Sequence, residues 1–220
     1  MNVVAIDGPA GAGKSSAARE AARRLGMAFL DTGAMYRAAT WRALEHHVGL
    51  DDPAALAAST SAMKLDLAPV DHGLRVEVDG VDVTSAIRSP EVTRNIRYLD
   101  GIPAVRNRLV ELQREFAAKG PTVAEGRDMG TVVFPRARCK IFLDASVEER
   151  TRRRAEQLRS EGRQVDVAAL QSEIAARDHN DRTRDVAPLR PATDAVIVDT
   201  TRMDFDQVVA EIVRLAGASA

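Results

Sequence analysis

Short apolar runs recur along this chain, separated by longer segments in which the apolar residues follow a helical period. The runs occupy residues 3–7, 27–30, 122–125, 139–144 and 195–199. Continuous apolar runs of this length are typical of strands that are buried on both faces of a sheet. The alternation predicts an α/β fold, in which a five-stranded parallel sheet is flanked by helices.

The intervening segments carry helix signals. Helices are predicted over residues 14–25, 35–47, 103–118, 147–160, 166–182 and 204–216. Asp52 and Pro53 suit the N-cap and the first position of a further helix.

Residues 65–83 break this alternation with a period of two. Residues 74–78 alternate apolar and polar side chains, and the Asp79-Gly80 pair that follows is a strong signal for a two-residue hairpin. A turn is also expected at residues 71–73. The pattern predicts a small antiparallel β insert, which we assign to residues 36–100.

Composition excludes several classes of protein. The 220 residues include 31 Lys and Arg against 32 Asp and Glu, so no overall basic field indicates a nucleic-acid partner. The single cysteine, Cys139, excludes an internal disulfide framework. No apolar run approaches the roughly 20 residues of a membrane span, and the N-terminus is too short and too quickly acidic for a signal peptide. We therefore expect a cytoplasmic protein with no membrane partner.

A glycine-rich loop follows the first predicted strand and precedes a predicted helix. Residues 8–15, GPAGAGKS, match G-x-x-x-x-G-K-[ST] at every fixed position. Such a loop points several N–H groups at one phosphate group, Lys14 reaches the outer phosphates, and the Ser15 hydroxyl is a ligand for Mg²⁺. The motif predicts a bound nucleoside triphosphate with Mg²⁺. The candidate nucleotide-binding residues are Gly8, Pro9, Ala10, Gly11, Ala12, Gly13, Lys14, Ser15 and Ser16.

Arginine is unevenly used and unevenly placed. The chain has 27 Arg and 4 Lys, and 10 of the 41 residues from Arg150 to Arg190 are Arg. The same window holds seven acidic residues, so part of the cluster is ordinary pairing on helix surfaces. The remainder suits an Arg-rich helical lid over transferring phosphates.

Polar residues also follow two other predicted strands. Thr32 and Arg37 come after the second, and Arg127 and Asp128 come after the third, before a turn expected at Gly130. Ligands bind at this edge of open α/β sheets, so these four side chains are expected to converge on one cleft beside the loop.

Two classes of function remain open on the residues alone. A small-molecule kinase needs a second anion pocket and a cover that excludes water, which the arginines suit. An ATP-binding nucleic-acid or regulatory module is the alternative, although aromatic residues for base stacking make up only 4% of the chain. A GTPase is disfavoured because the chain has no Asn-Lys-x-Asp tetrapeptide.

Taken together, the motifs resemble the bacterial-type cytidylate kinases, a family of P-loop nucleoside monophosphate kinases. The matching segments are GPAGAGKSS at 8–16, DTGAMYR at 31–37, GRDMGTVVFP at 126–135, KIFLDAS at 140–146 and RDHNDRTRDVAPL at 177–189. The resemblance implies ATP-dependent phosphorylation of CMP and dCMP, with UMP or another small acceptor as the alternative. It also implies a core of residues 1–35, 101–150 and 185–220, a monophosphate-binding insert of residues 36–100 and a lid of residues 151–184.

The resemblance also implies roles on the acceptor side. By position, Arg37 and Arg127 match residues that hold the acceptor phosphate. Arg106 and Asp128 match residues that read cytosine, and Asp181 matches a pentose-binding residue.

Further matches concern phosphoryl transfer, where Lys14 and Arg127 are also candidates. Arg184 matches an acceptor-side arginine, and Arg153 and Arg177 match lid arginines near the phosphoryl groups. Two positions depart from the family pattern: Arg97 stands where a serine assists cytosine recognition, and Glu125 where an aspartate is common. We retain Arg97 as a candidate substrate-binding residue and expect a monomer with small-molecule partners.

Overall fold

The computed structural model describes residues 2–70, 73–160 and 162–218. In chain order the strands are β1 (Val3–Asp7), β2 (Ala28–Asp31), β3 (Leu65–Val70), β4 (Gly73–Val78), β5 (Val81–Asp82), β6 (Thr122–Glu125), β7 (Cys139–Asp144) and β8 (Val196–Asp199). The α-helices are α1 (Lys14–Leu25), α2 (Thr32–Glu45), α3 (Pro53–Ala62), α4 (Pro90–Asn95), α5 (Pro103–Ala118), α6 (Val147–Ser160), α7 (Val167–Thr183) and α8 (Phe205–Ala218).

The larger sheet has the strand order β2-β6-β1-β7-β8, and β7 pairs in parallel with both β1 and β8. All five residues of β1 are buried, as a strand covered on both faces must be. The predicted five-stranded parallel sheet is confirmed. Its strands differ from the predicted runs by at most one residue at either end.

The chain divides into two compact units. The first comprises Met1–Met27 and Val123–Ala220, and the second comprises Ala28–Thr122. The first unit contains β1, β7, β8 and the helices α1, α6, α7 and α8. The predicted division into core, insert and lid stays a prediction.

The second unit contains the smaller sheet, β3-β4-β5, which is antiparallel throughout. Asp79 and Gly80 have φ of +52° and +86°, the positive values that a type I′ hairpin requires at both central positions. The predicted hairpin is therefore confirmed. The turn expected at residues 71–73 lies partly outside the described residues.

Two local predictions, the start of α2 and the turn at Gly130, differ from the structure for identifiable reasons. Helix α2 begins at Thr32 rather than residue 35, because the Asp31 carboxylate accepts the Ala34 N–H at 2.8 Å and caps the helix earlier. In place of the expected turn at Gly130, Met129–Val133 form one turn of π-helix, in which the Phe134 N–H donates to the Met129 carbonyl at 2.7 Å. Single π-turns are rare in proteins, and those that occur are often found at functional sites.

No helix in the part of the chain that the structure describes combines the length and the apolar character needed to cross a bilayer.

Gly8 links β1 to the glycine-rich loop in a conformation that other residues avoid. Its φ is +148°, and a Cβ at this position would overlap the carbonyl oxygen of Leu143 in β7. We expect Gly8→Ala to lower the free energy of unfolding by about 2 kcal/mol, because the substitution adds both backbone strain and a clash.

Urea unfolding measures this loss, and Gly217→Ala is the matched control. Gly217 lies in α8 with open space around the position of a Cβ, so alanine there is expected to leave the stability unchanged or slightly higher. Equal stability of the two variants would contradict the account of Gly8.

Candidate active site

The glycine-rich loop leads directly into the N-terminus of α1. Gly11 and Gly13 have positive φ, and Gly13 is the N-cap of the helix. The first four N–H groups of any α-helix lack intrahelical partners, and they carry partial positive charge. The loop and the first turn of α1 therefore present donors to an anion, as the motif predicts.

Lys14 is buried at this helix start. Its ammonium group donates to the Pro9 carbonyl at 2.7 Å, across the loop. Burial lowers the pKa of Lys14 to about 7; the Arg127 charge adds to this shift, and the Glu125 carboxylate opposes it. A bound polyphosphate would bring further negative charge next to Lys14 and would favour its protonated form.

Ser15 and Glu125 place two oxygens side by side next to the loop. The Ser15 hydroxyl donates to Glu125 Oε1 at 2.6 Å, which joins the first turn of α1 to the end of β6. A hydroxyl and a carboxylate are hard oxygen ligands, the donor set that Mg²⁺ prefers. These two residues fit a divalent cation bound next to a phosphate in the loop.

Asp7 ends β1 and supports the π-turn. Its carboxylate accepts the N–H groups of Met129 and Gly130 at 2.7 and 2.8 Å. Burial raises the pKa of Asp7 to about 6, against the lowering effect of these two hydrogen bonds. Asp7 thus holds the backbone that immediately follows Arg127 and Asp128, and Asp128 is itself buried.

Arg127 and Asp181 form an ion pair of 2.8 Å. Burial lowers the pKa of Arg127, but the Asp181 carboxylate outweighs that effect and holds the pKa above its usual value. Burial likewise raises the pKa of Asp181, but the Arg127 guanidinium outweighs it and holds that pKa below its usual value. The charge of Arg177 acts on both Lys14 and Asp181, so Arg177 lies in the same cluster.

Two further predicted arginines lie in the first unit. Arg153 bonds Glu149 at 2.8 Å and the Thr200 carbonyl at 2.6 Å, and one of its nitrogens is 3.8 Å from where a Cβ of Gly13 would stand. The Arg184 Nε donates to the Ala187 carbonyl at 2.7 Å. The structure thus brings Arg153 beside the loop.

The second unit holds other predicted residues. Thr32 is the first residue of α2, and Arg37, further along this helix, donates to Asp31 Oδ2 at 2.8 Å. The buried guanidinium of Arg106 lies 5.8 Å from the centre of the Tyr36 ring.

Arg97 makes a different contact. Its guanidinium lies 5.0 Å from the ring centre of the adjacent Tyr98 and donates to the Tyr98 hydroxyl at 3.2 Å. The expectation that Thr32, Arg37, Arg127 and Asp128 converge stays a prediction.

Comparison with known proteins decides the family. The family model described as cytidylate kinase matches residues 4–218. The chain belongs to the cytidylate kinase family. A cytidylate kinase of Exiguobacterium sp. is 50% identical over 96% of this chain and 95% of that protein, and one of Nocardia farcinica is 48% identical over 97% and 92%.

Other relatives extend this comparison. A bifunctional pantoate ligase/cytidylate kinase of Synechococcus sp. is 48% identical over 97% of this chain and 40% of its own length. Among solved structures, TT1252 from Thermus thermophilus superposes with a TM-score of 0.50 at 18% identity, covering 96% of both chains, and supports the fold alone.

Sequence reasoning did not single out two buried charged residues beside the loop of this cytidylate kinase family member, Asp7 and Arg150. The signal for Asp7 is present in the sequence, since it is a carboxylate at the end of a buried strand, immediately before the loop. Arg150 was counted in the arginine-rich segment, but nothing in its spacing separates it from exposed neighbours such as Arg152. Both are recognised only from their burial and partners.

The lowered pKa of Lys14 predicts a pH dependence of stability. Between about pH 7 and the ordinary lysine value of 10.5, the folded protein has released a proton that the unfolded chain binds. Unfolding then takes up a proton, so the free energy of unfolding should rise with pH over this window, by up to about 1 kcal/mol per pH unit.

Urea unfolding of the protein without nucleotide at pH 7, 8 and 9 tests this slope. Lys14→Met should flatten it, whereas Lys64→Met, at an exposed lysine, should leave it unchanged. An identical slope in the Lys14→Met variant and the unmodified protein would contradict the assignment.

Proposed function

We propose that this protein transfers the γ-phosphoryl group of ATP to CMP and dCMP, giving ADP with CDP or dCDP. The observation that carries the proposal is the phosphate loop with its buried Lys14, in a chain that matches the cytidylate kinase family over residues 4–218. UMP remains the alternative acceptor, since Arg97 departs from the family pattern.

The acceptor itself needs little activation. A phosphate monoester has a second pKa near 6, so CMP is mostly a dianion at neutral pH and no strong general base is required. The difficulty is that two polyanions must meet in line. Lys14, Arg127 and Arg177 form a cluster of positive charge that offsets this repulsion.

Lys14 moves from its internal partner to the nucleotide in this mechanism. Its bond to the Pro9 carbonyl is exchanged for the outer phosphates of ATP, and the polyphosphate charge favours the protonated amine. Mg²⁺, held by the Ser15 hydroxyl and the Glu125 carboxylate, would supply further charge neutralisation when bound.

The acceptor-side roles follow the family pattern. Arg37 and Arg127 hold the acceptor phosphate with Arg184 nearby, Arg106 and Asp128 read the cytosine, and Asp181 binds the pentose. The ion pair of Arg127 with Asp181 supports adjacent roles for these two residues. Arg153 and Arg177 act on the phosphoryl groups from α6 and α7.

Closure of residues 151–184 as a lid, a monomeric state and a cytoplasmic location, all expected from the sequence, stay predictions. The rival nucleic-acid module makes an opposite prediction, namely salt-dependent binding to RNA or DNA. Absence of such binding at low salt would eliminate it.

Lys14→Ala should lower kcat for CMP phosphorylation at least about 100-fold, because the transition state loses a buried cation. Coupled detection of ADP release measures this rate. Lys64→Ala, at an exposed lysine, should retain the rate of the unmodified protein. Near-normal turnover by Lys14→Ala would remove the phosphate loop from the reaction.

Asp128→Asn should lower kcat/KM for CMP by roughly 10- to 100-fold, since a carboxylate accepting from the cytosine amine contributes about 1.5–3 kcal/mol. UMP has a carbonyl at that position and should lose less. The same assay with both nucleotides gives the ratio, and Asp66→Asn, at an exposed aspartate, is the control. Equal losses for CMP and UMP would exclude Asp128 from base recognition.

A further inference from the structure

Arg150 is the most deeply buried long charged side chain near the loop, and the reaction described above does not use it. Its side chain is 2% exposed. It forms a two-point ion pair with Asp178, at 2.9 and 2.5 Å. Removing one partner of a buried pair leaves an uncompensated charge, so the two residues are held together by strong electrostatics.

The same guanidinium reaches two backbone carbonyls. Its Nη1 donates to the carbonyl of Ala10 in the phosphate loop at 3.0 Å, and its Nε donates to Ala145, just after β7, at 2.9 Å. A loop that turns its N–H groups towards a phosphate turns carbonyls away, and a carbonyl that is partly shielded from water, as that of Ala10 is, then gains from a donor. Arg150 is that donor for Ala10.

The partner of Arg150 lies among the charged residues of α7. Asp178 directly follows Arg177, and Asp181 lies three residues further on, a spacing that places Asp178 and Asp181 on one face of the helix. A shift of Asp178 therefore shifts both Arg177 and the carboxylate that pairs with Arg127.

We propose that Arg150 is a positioning residue that sets the phosphate loop and α7 in a single arrangement. It acts on the nucleotide through the Ala10 carbonyl, and on Arg177 and Asp181 through Asp178. The proposal rests on the function proposed above for the catalytic rate, whereas its effect on nucleotide affinity is independent of the acceptor.

Two conservative variants separate the effect of Arg150 on nucleotide binding from its effect on α7. Arg150→Lys keeps the charge, but an ammonium group lacks the planar fork that spans four acceptors on three segments. We expect the dissociation constant for MgADP, measured by calorimetry, to rise about tenfold. Arg152→Lys is the matched control, since Arg152 lies on the exposed face of α6 and bonds only Glu149 and Glu156 among the contacts described.

Asp178→Asn tests the effect on α7, which carries Arg177 and Asp181. It should lower kcat roughly 10- to 100-fold through displacement of Arg177, with less than a threefold change in MgADP affinity. A purely structural pair would instead lower the urea midpoint and leave both quantities unchanged in the folded protein. That result in both variants would overturn the proposal.

Two outcomes need separate treatment. If Asp178→Asn does not fold by circular dichroism, Asp178→Glu takes its place, because it retains the charge but displaces α7, and the same fall in kcat is expected. If the unmodified protein binds MgADP but does not phosphorylate CMP, the proposed function fails. The affinity ratio of Arg150→Lys to the unmodified protein then decides the positioning role alone.

Discussion

Each strand of the parallel sheet ends in an acidic residue, and each of these carboxylates accepts a hydrogen bond that fixes nearby backbone or a nearby side chain. The residues are Asp7, Asp31, Glu125, Asp144 and Asp199. Asp7 holds two N–H groups of the π-turn, and Asp31 caps α2 and pairs with Arg37. Glu125 accepts the Ser15 hydroxyl, and Asp144 and Asp199 accept the N–H groups of Ala145 and Thr201. The acidic strand ends thus fix the π-turn, the start of α2 and the first turn of α1 by separate hydrogen bonds.

The positive groups near the loop lie close enough to affect one another, since the charges of Arg127 and Arg177 both act on Lys14. The charges of Arg127 and Arg177 disfavour the charged form of Lys14, and Glu125 and Asp7 act in the opposite direction. An enzyme that assembles such a cluster before its substrate arrives avoids reorganisation during the reaction. The lowered pKa of Lys14, caused first by burial and then by the neighbouring Arg127 charge, is a measurable consequence of this arrangement.

Local signals were sufficient for the sheet, the phosphate loop and the hairpin. Five apolar runs locate the parallel strands, and Asp79-Gly80 defines a turn by its own backbone preferences. The π-turn at Met129–Val133 was beyond such reasoning, since it depends on two hydrogen bonds to Asp7, 122 residues away or more. The same holds for Arg150, whose role follows from partners in three separate segments. Long-range polar contacts at the site leave no period in the sequence.

The π-turn places a constraint on chain length. Two of its hydrogen bonds link residues five apart, one more than in an α-helix, and Met129, Val133 and Phe134 are all buried. Deleting one residue here would restore α-helical spacing and rotate everything beyond the deletion by about 100° relative to Asp128. The buried faces on the two sides of the turn would then fall out of phase. This segment therefore tolerates changes of side chain more readily than changes of length.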